Sequence, residues 1–168
     1  MKLSINSIDA LILDFDGVLT DNTVYLNQDG IETVRCNRGD GLALENSKKL
    51  GIRTYIVSSE KNNVVSKRAE KLDIPVLFGV ENKVDALMRL SEDKGLDLER
   101  LLYVGNDLND YHAIQKCGFS ACPSDSHKRI KDIVTFNLKT KGGMGIVREI
   151  LEDILNIDMI EALYEKKG

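Results

Sequence analysis

Tryptophan is absent from the 168 residues, proline occurs twice and cysteine three times. The thiols Cys36, Cys117 and Cys122 are odd in number, and the C-x4-C spacing of the last two is not that of a zinc pair. Free thiols in a reducing cytosol are the expected state. Basic residues are also short, 23 Lys and Arg against 27 Asp and Glu, for a net charge of −4. With no basic surplus to displace counterions from phosphates, a nucleic-acid partner is not expected. No run approaches the roughly 20 apolar residues of a membrane span, so no membrane partner is expected either. The start, MKLSINSIDALILDFDG, carries one lysine and a short apolar run that ends in acids, unlike a signal peptide. A cytoplasmic protein is expected.

What is present is the composition of a globular chain, 42% hydrophobic and 30% charged. The length suits one domain, 1–168, with a core that needs no disulfide or structural metal. Continuous apolar runs at 8–15, 52–59, 74–79 and 101–105, with weaker ones at 118–122 and 132–136, predict strands buried on both faces. Between them, apolar positions at three- and four-residue intervals predict helices at 41–50, 62–72, 83–94, 109–117 and 127–131. Gly51, Gly95 and Gly118 stand where helix C-caps belong. The alternation predicts right-handed βαβ units in a three-layer, Rossmann-like α/β fold with a mainly parallel sheet. One stretch departs from it: TVYLNQDGIETVRC (23–36) reads as a β-hairpin turning at Asp29-Gly30. The final EKKG is expected to fray.

The chemistry concentrates at strand ends. LILDFDG drives an apolar strand into two aspartates, Asp14 and Asp16, and turns at once on Gly17. Carboxylates two residues apart repel each other, which makes sense where a cation or a phosphate is handled. In an open parallel sheet ligands bind at the carboxyl ends of the strands. There the second strong strand delivers Ser58 and Ser59, Lys83 opens the helix after the third, and the fourth delivers GNDLND (105–110). A nucleophile, a proton-transfer partner, a hydroxyl, a cation and a second acidic cluster suit phosphoryl transfer through an aspartyl phosphate. Magnesium, an oxygen-seeking cation, would cancel the charge of the two anions that must meet. Each piece alone has an ordinary reading: a polar strand end, a solvated lysine, a helix N-cap. Their order and placement together carry the inference.

The set DFDGVLT (14–20), IVSS (56–59), Lys83 and VGNDLND (104–110) resembles the four motifs of the haloacid dehalogenase-like phosphatases, across nearly the whole chain. The resemblance implies Asp14 as nucleophile and Asp16 as acid and then base. It implies Ser58, Lys83 and the amides after Asp14, Gly17 included, around the phosphoryl group. Magnesium would sit on Asp14, the Asp16 carbonyl and, from the acidic motif, Asn106 and Asp107. Neither gap where such proteins carry a cap domain has room for one here, so a capless member is expected, completed by a neighbouring subunit.

DGVLTDN with its hairpin (about 21–36), and KGGMGIVREIL within a Gly-rich C-terminal segment (141–157), resemble the small tetrameric phosphatases of 3-deoxy-2-keto sugar acids. These act on 3-deoxy-manno-octulosonate 8-phosphate or on nine-carbon, sialic-type acid 9-phosphates. The resemblance implies a homotetramer and a small sugar-acid phosphate as partner. Ser58-Ser59-Glu60 is closer to the nine-carbon branch, which implies substrate contacts at Ser59, Glu60, Arg68, Lys71 and Asn109. An ordinary turn accounts for Gly142, Gly143 and Gly145 nearly as well as an active role does. Two positions depart from the pattern: Met144 replaces a frequent arginine, and Asn106 replaces the usual metal-binding aspartate. The latter is shared with the phosphatase-like domain of animal CMP-sialate synthetases, which serves mainly in assembly. An assembly partner with little catalysis is therefore the alternative from another class. A dinucleotide-binding fold is not supported, since no G-x-G-x-x-G follows the first strand.

Overall fold

The computed structural model describes residues 3–164. The EKKG end lies outside the described residues. In chain order, β1 (Ala10–Leu13) is followed by the hairpin β2 (Thr20–Leu26) and β3 (Glu32–Cys36), then by β4 (Thr54–Val57), β5 (Val76–Leu77), β6 (Leu101–Val104), β7 (Phe119–Cys122) and β8 (Phe136–Asn137). Six of them form one wholly parallel sheet in the order β5-β4-β1-β6-β7-β8.

Side chains alternate across this sheet, and both sides are dry. Leu11, Leu13, Ile56, Leu102 and Val104 point into one apolar layer, while Ala10, Ile12, Val57, Leu101 and Tyr103 point into the other. That is why these strands read as unbroken apolar runs. The helices α1 (Arg38–Lys49), α2 (Val64–Leu72), α3 (Lys83–Lys94), α4 (Tyr111–Lys116), α5 (Lys128–Lys131), α6 (Ile146–Glu149) and α7 (Met159–Tyr164) divide between the layers. α1, α2, α6 and α7 contribute to the first and α3, α4 and α5 to the second. A π-helical turn, Ile150–Ile154, continues α6. No helix among the described residues is long and apolar enough to cross a membrane.

Three local expectations change. α1 begins at Arg38 rather than at 41, because the Asn37 carboxamide accepts the Gly39 N–H at 2.6 Å and caps the helix ahead of its glycines. The run at 132–136 becomes strand only at Phe136, since the Ile133 and Val134 amides still bond back to the Ile130 carbonyl. Gly118 is not a left-handed cap: a Cβ there would lie 1.9 Å from the Glu99 carbonyl oxygen, so the site needs glycine for close backbone approach.

The connections position the site. From β1 the chain moves outward on one side through β4 and β5, then returns to the opposite flank of β1 with β6. The crevice over the carboxyl ends of β1 and β6 is thus where strand order reverses, the preferred ligand position in such sheets. Between β1 and β4 lie only the hairpin and α1, and between β5 and β6 only α3 and a 3-10 turn. Nothing in these connections is large enough to form a cap.

Candidate active site

Asp14 is the first residue beyond β1. Its amide bonds to the Val104 carbonyl (2.9 Å), which extends the β1–β6 ladder to the point where the carboxylate emerges. Asp14 Oδ1 accepts the Phe15 N–H at 2.7 Å, and Oδ2 accepts Lys83 Nζ at 2.8 Å. Lys83 is presented by the first turn of α3, whose N-cap Asn82 accepts the Val84 and Asp85 amides. The same ammonium reaches Asp110 Oδ1 at 2.6 Å. Asp110 also takes the Tyr103 hydroxyl on Oδ1 (2.7 Å) and the Asn106 and Asp107 amides on Oδ2 (2.9 and 3.3 Å). Asp14, Lys83, Tyr103 and Asp110 are all buried.

Two carboxylates share one ammonium, so the cluster is short of positive charge. Burial, and then the Asp110 charge, push the Asp14 carboxyl well above the usual carboxylate range against the pull of Lys83. Burial alone would lower Lys83, but Asp14 and Asp110 outweigh it and hold the ammonium charged. Half-buried Asp16 is raised by its burial and then by the charge of Glu60. Thr20 donates its hydroxyl to Asp16 Oδ1 at 3.4 Å. Burial and the Glu60 charge both favour the protonated form of Asp16, the direction that a proton donor to a leaving group requires.

Above this cluster lies a polar cavity of ≈ 180 Å³. Asp14, Asp16, Ser58, Ser59, Glu60, Asn106, Asp107 and Asn109 all line it, joined by Asn22. Ser58 is buried just past β4 and accepts the Glu60 amide at 3.2 Å. Asn109 donates to Ser59 Oγ at 3.1 Å, which ties the loop after β6 to the loop after β4. Glu60 is partly engaged by its own loop, since Oε1 accepts the Lys61 and Asn62 amides. Gly17, with a left-handed φ of +74°, packs its Cα against the Asn106 carboxamide. Its amide bonds to Thr20 Oγ1 (3.2 Å) and that of Phe15 to Asp14, so both are used within the loop rather than offered to a phosphoryl group.

Arg68 and Lys71 are not brought to this cavity. They line a larger groove of ≈ 500 Å³ between α1 and α2, together with Arg38, Glu45, Lys48 and Asp73. Arg68 there donates to the Asn37 carbonyl at 2.9 Å. Within one chain the sequence expectation of a shared site is not met for these two cations.

Asp110 escaped the sequence reading, although its signal was available: it is the last acid of GNDLND, four residues beyond Asn106. Tyr103 gave no signal, because a tyrosine inside LLYV reads as core. The glycine-rich segment also has a local reason. A Cβ on Gly142 would lie 2.1 Å from the Gly17 carbonyl oxygen, and one on Gly143 2.5 Å from the Asp21 nitrogen. The Gly142 amide bonds to Asp125 Oδ1 (3.0 Å) and that of Gly143 to the Val18 carbonyl (2.9 Å). The segment braces the loop that follows Asp16.

The donor set fits magnesium. Asp14, the Asp16 main chain and Asn106 offer only oxygen among the metal-binding atom types, and the buried carboxylates lack one compensating charge. No group of three His, Cys, Asp or Glu side chains suited to a metal converges among the described residues.

Known proteins resemble this chain in sequence and fold. The 3-deoxy-D-manno-octulosonate 8-phosphate phosphatase of Escherichia coli K12 is 33% identical over 150 residues, which cover 89% of this chain and 80% of the relative. The Moraxella catarrhalis phosphatase of the same name, solved with magnesium, phosphate and KDO, superposes with a TM-score of 0.88 at 30% identity over 96% of this chain and 95% of that one. A Streptomyces avermitilis protein described only as a HAD family hydrolase reaches a TM-score of 0.91 at 39% identity, covering 95% and 98%. The model of the haloacid dehalogenase-like hydrolases matches residues 42–150. By that match and by the relatives that span most of its length, the chain belongs to the haloacid dehalogenase-like hydrolases.

Proposed function

We propose that this magnesium-dependent phosphoric monoester hydrolase acts on a sialic-type nine-carbon sugar-acid 9-phosphate in the cytoplasm, as a homotetramer. The observation that carries the chemistry is Asp14 held on Lys83 Nζ at 2.8 Å beneath a cavity that also holds Asp16. A carboxylate oxygen of Asp14 attacks phosphorus while the bond to the sugar oxygen breaks, and Asp16 gives its proton to that oxygen. Asp16 then takes a proton from water as the water oxygen attacks the aspartyl phosphate, releasing phosphate and restoring Asp14. Lys83 and Ser58 hold the transferring group. Magnesium, when bound on Asp14, the Asp16 carbonyl and Asn106 with Asp107 beside them, supplies the positive charge that lets two anions meet.

The nine-carbon choice rests on Glu60, which lines the cavity and whose carboxylate suits sugar hydroxyls better than a substrate carboxylate. A second reading, the eight-carbon 8-phosphate, is favoured by the names of the Escherichia and Moraxella relatives. Phosphate release from both substrates, each with magnesium and with chelator, separates the two by kcat/KM. Metal-dependent turnover on neither would move the assignment to an assembly partner of a CMP-sugar-acid synthetase. Asp14→Asn keeps the shape and removes the nucleophile, so turnover is expected to fall about 10⁴-fold. Turnover unchanged by that substitution would sink the covalent mechanism.

A further inference from the structure

Tyr103 stands where an apolar side chain would serve. All four residues of β6 are buried, and the Tyr103 ring lies in the same apolar layer as Leu87, Ala113 and Ile114. A hydroxyl is costly to bury there unless it is hydrogen-bonded. Its partner is Asp110 Oδ1 at 2.7 Å, the oxygen that also accepts Lys83 Nζ at 2.6 Å. Each Asp110 oxygen therefore receives two donors, the other two being the Asn106 and Asp107 amides. Asp110 is fully buried, so solvent does not stand ready to replace any of the four.

The lysine is the member that links Asp110 to Asp14, the one of these side chains that lines the cavity. An ammonium has three N–H donors. One goes to Asp110 Oδ1 and one to Asp14 Oδ2, which leaves one for a third acceptor. Without the phenol, Asp110 Oδ1 would have Lys83 as its sole partner and would draw the ammonium from Asp14. We propose that Tyr103 is a positioning residue: by sharing Asp110 Oδ1 it keeps Lys83 balanced between Asp110 and Asp14, with one N–H free for an oxygen of the bound phosphoryl group. This inference rests on the phosphatase reading above and adds to it a residue that touches no substrate.

The test uses the full chain with magnesium chloride and compares wild type with Tyr103→Phe. Inorganic phosphate and orthovanadate are titrated by calorimetry, and KM and kcat are measured on the sugar-acid phosphate. Misplacing a group that holds the phosphoryl oxygens in ground and transition state alike is expected to weaken phosphate about fivefold to tenfold, raise KM to match and leave kcat within about twofold. A lower melting temperature with phosphate affinity and KM unchanged would overturn the proposal and leave Tyr103 as core. Should Tyr103→Phe not melt cooperatively, Tyr103→3-fluorotyrosine is read instead: the stronger donor is expected to tighten phosphate about twofold, and unchanged affinity overturns the proposal. If wild type binds phosphate and vanadate but hydrolyses no ester, the phosphatase reading fails while a weaker-binding Phe variant still supports Tyr103. If wild type binds neither, both fall.

Discussion

The carboxyl edge at Asp14 and the hairpin that opens at Thr20 are close neighbours in sequence and opposites in solvation. At the edge, Asp14, Lys83, Tyr103 and Asp110 are buried and answer one another inside a single chain. On the hairpin, Val24, Tyr25, Leu26 and Ile31 are 57%, 61%, 65% and 60% exposed, and β2 and β3 pair only with each other. One region is short of positive charge and the other short of apolar cover. The buried charge cluster is therefore assembled within the chain, whereas the apolar hairpin and the distant cations Arg68 and Lys71 are what a neighbouring subunit would cover in the proposed tetramer.

Lys83→Met strains this contrast most. It leaves two buried carboxylates facing each other, which is expected to cost about 3–5 kcal/mol and at least about 100-fold in turnover. The hairpin pair Arg35–Asp21, at 2.9 Å with Arg35 largely exposed, gives the matched control. Arg35→Met is expected to cost less than about 1 kcal/mol. Equal losses in urea melts of the two variants would erase the distinction between the regions.

Glycines sharpen it next. A methyl on Gly142 meets the Gly17 carbonyl at 2.1 Å and must shift the loop after Asp16, whereas one on Gly30 meets nothing within 4 Å. Gly142→Ala is expected to lower turnover about 10- to 100-fold with the helical spectrum retained, a 1 Å misplacement being enough for that loss. Gly30→Ala is expected to leave turnover intact and cost about 1 kcal/mol for its left-handed φ of +75°. Unchanged activity in the Gly142 variant would make the brace idle.

The hairpin has its own test. Leu26→Asp puts a charge on the exposed apolar face and is expected to reduce the proposed tetramer to a smaller species in light scattering. Turnover would then fall about tenfold for want of the neighbour's surface, while the chain's own stability changes by under about 1 kcal/mol. A wild-type monomer at micromolar concentration would remove the tetramer from the proposal.

Which parts were legible follows from where each signal is stored. Asp14, Ser58 and Lys83 each end a strand or begin a helix that apolar periodicity locates, so their convergence could be read before any coordinates. Asp110 was hidden in plain view, because a carboxylate on a short helical turn reads as a solvated face until its burial is seen. Tyr103 and Gly142 could not be read. The reason for each is a contact with a remote segment, a phenol on Asp110 and a backbone carbonyl at Gly17, and neither leaves a periodic trace. Arg68 and Lys71 show the converse: their three-residue spacing is visible, but spacing does not say which groove a helix face will line.

The smallest expected effect on turnover concerns Asp40, which lies outside the cavity that holds Asp14 and Asp16. It is buried in the first turn of α1, with Oδ1 accepting the Val147 amide at 2.9 Å and Oδ2 unpartnered. Burial pushes its carboxyl up to about 6, against the amides of Val147 and Gly145 and the charges of Arg68 and Arg148; Cys36 is the other titratable group that feels it. Because the folded-state value lies above the unfolded one, the folded chain holds more protons between about pH 4 and 6, and stability falls as pH rises through that window. The full difference, from 3.8 to about 6 at 1.36 kcal/mol for each pH unit, is about 3 kcal/mol. Asp40→Asn has no proton to lose, so relative to wild type it is expected to gain that amount between pH 4 and pH 7 in urea melts, with turnover unchanged. Parallel stability curves for the two proteins across this range would mean that Asp40 ionises in the fold as readily as in the open chain, and that the helix junction behind the site is wetter than its burial indicates.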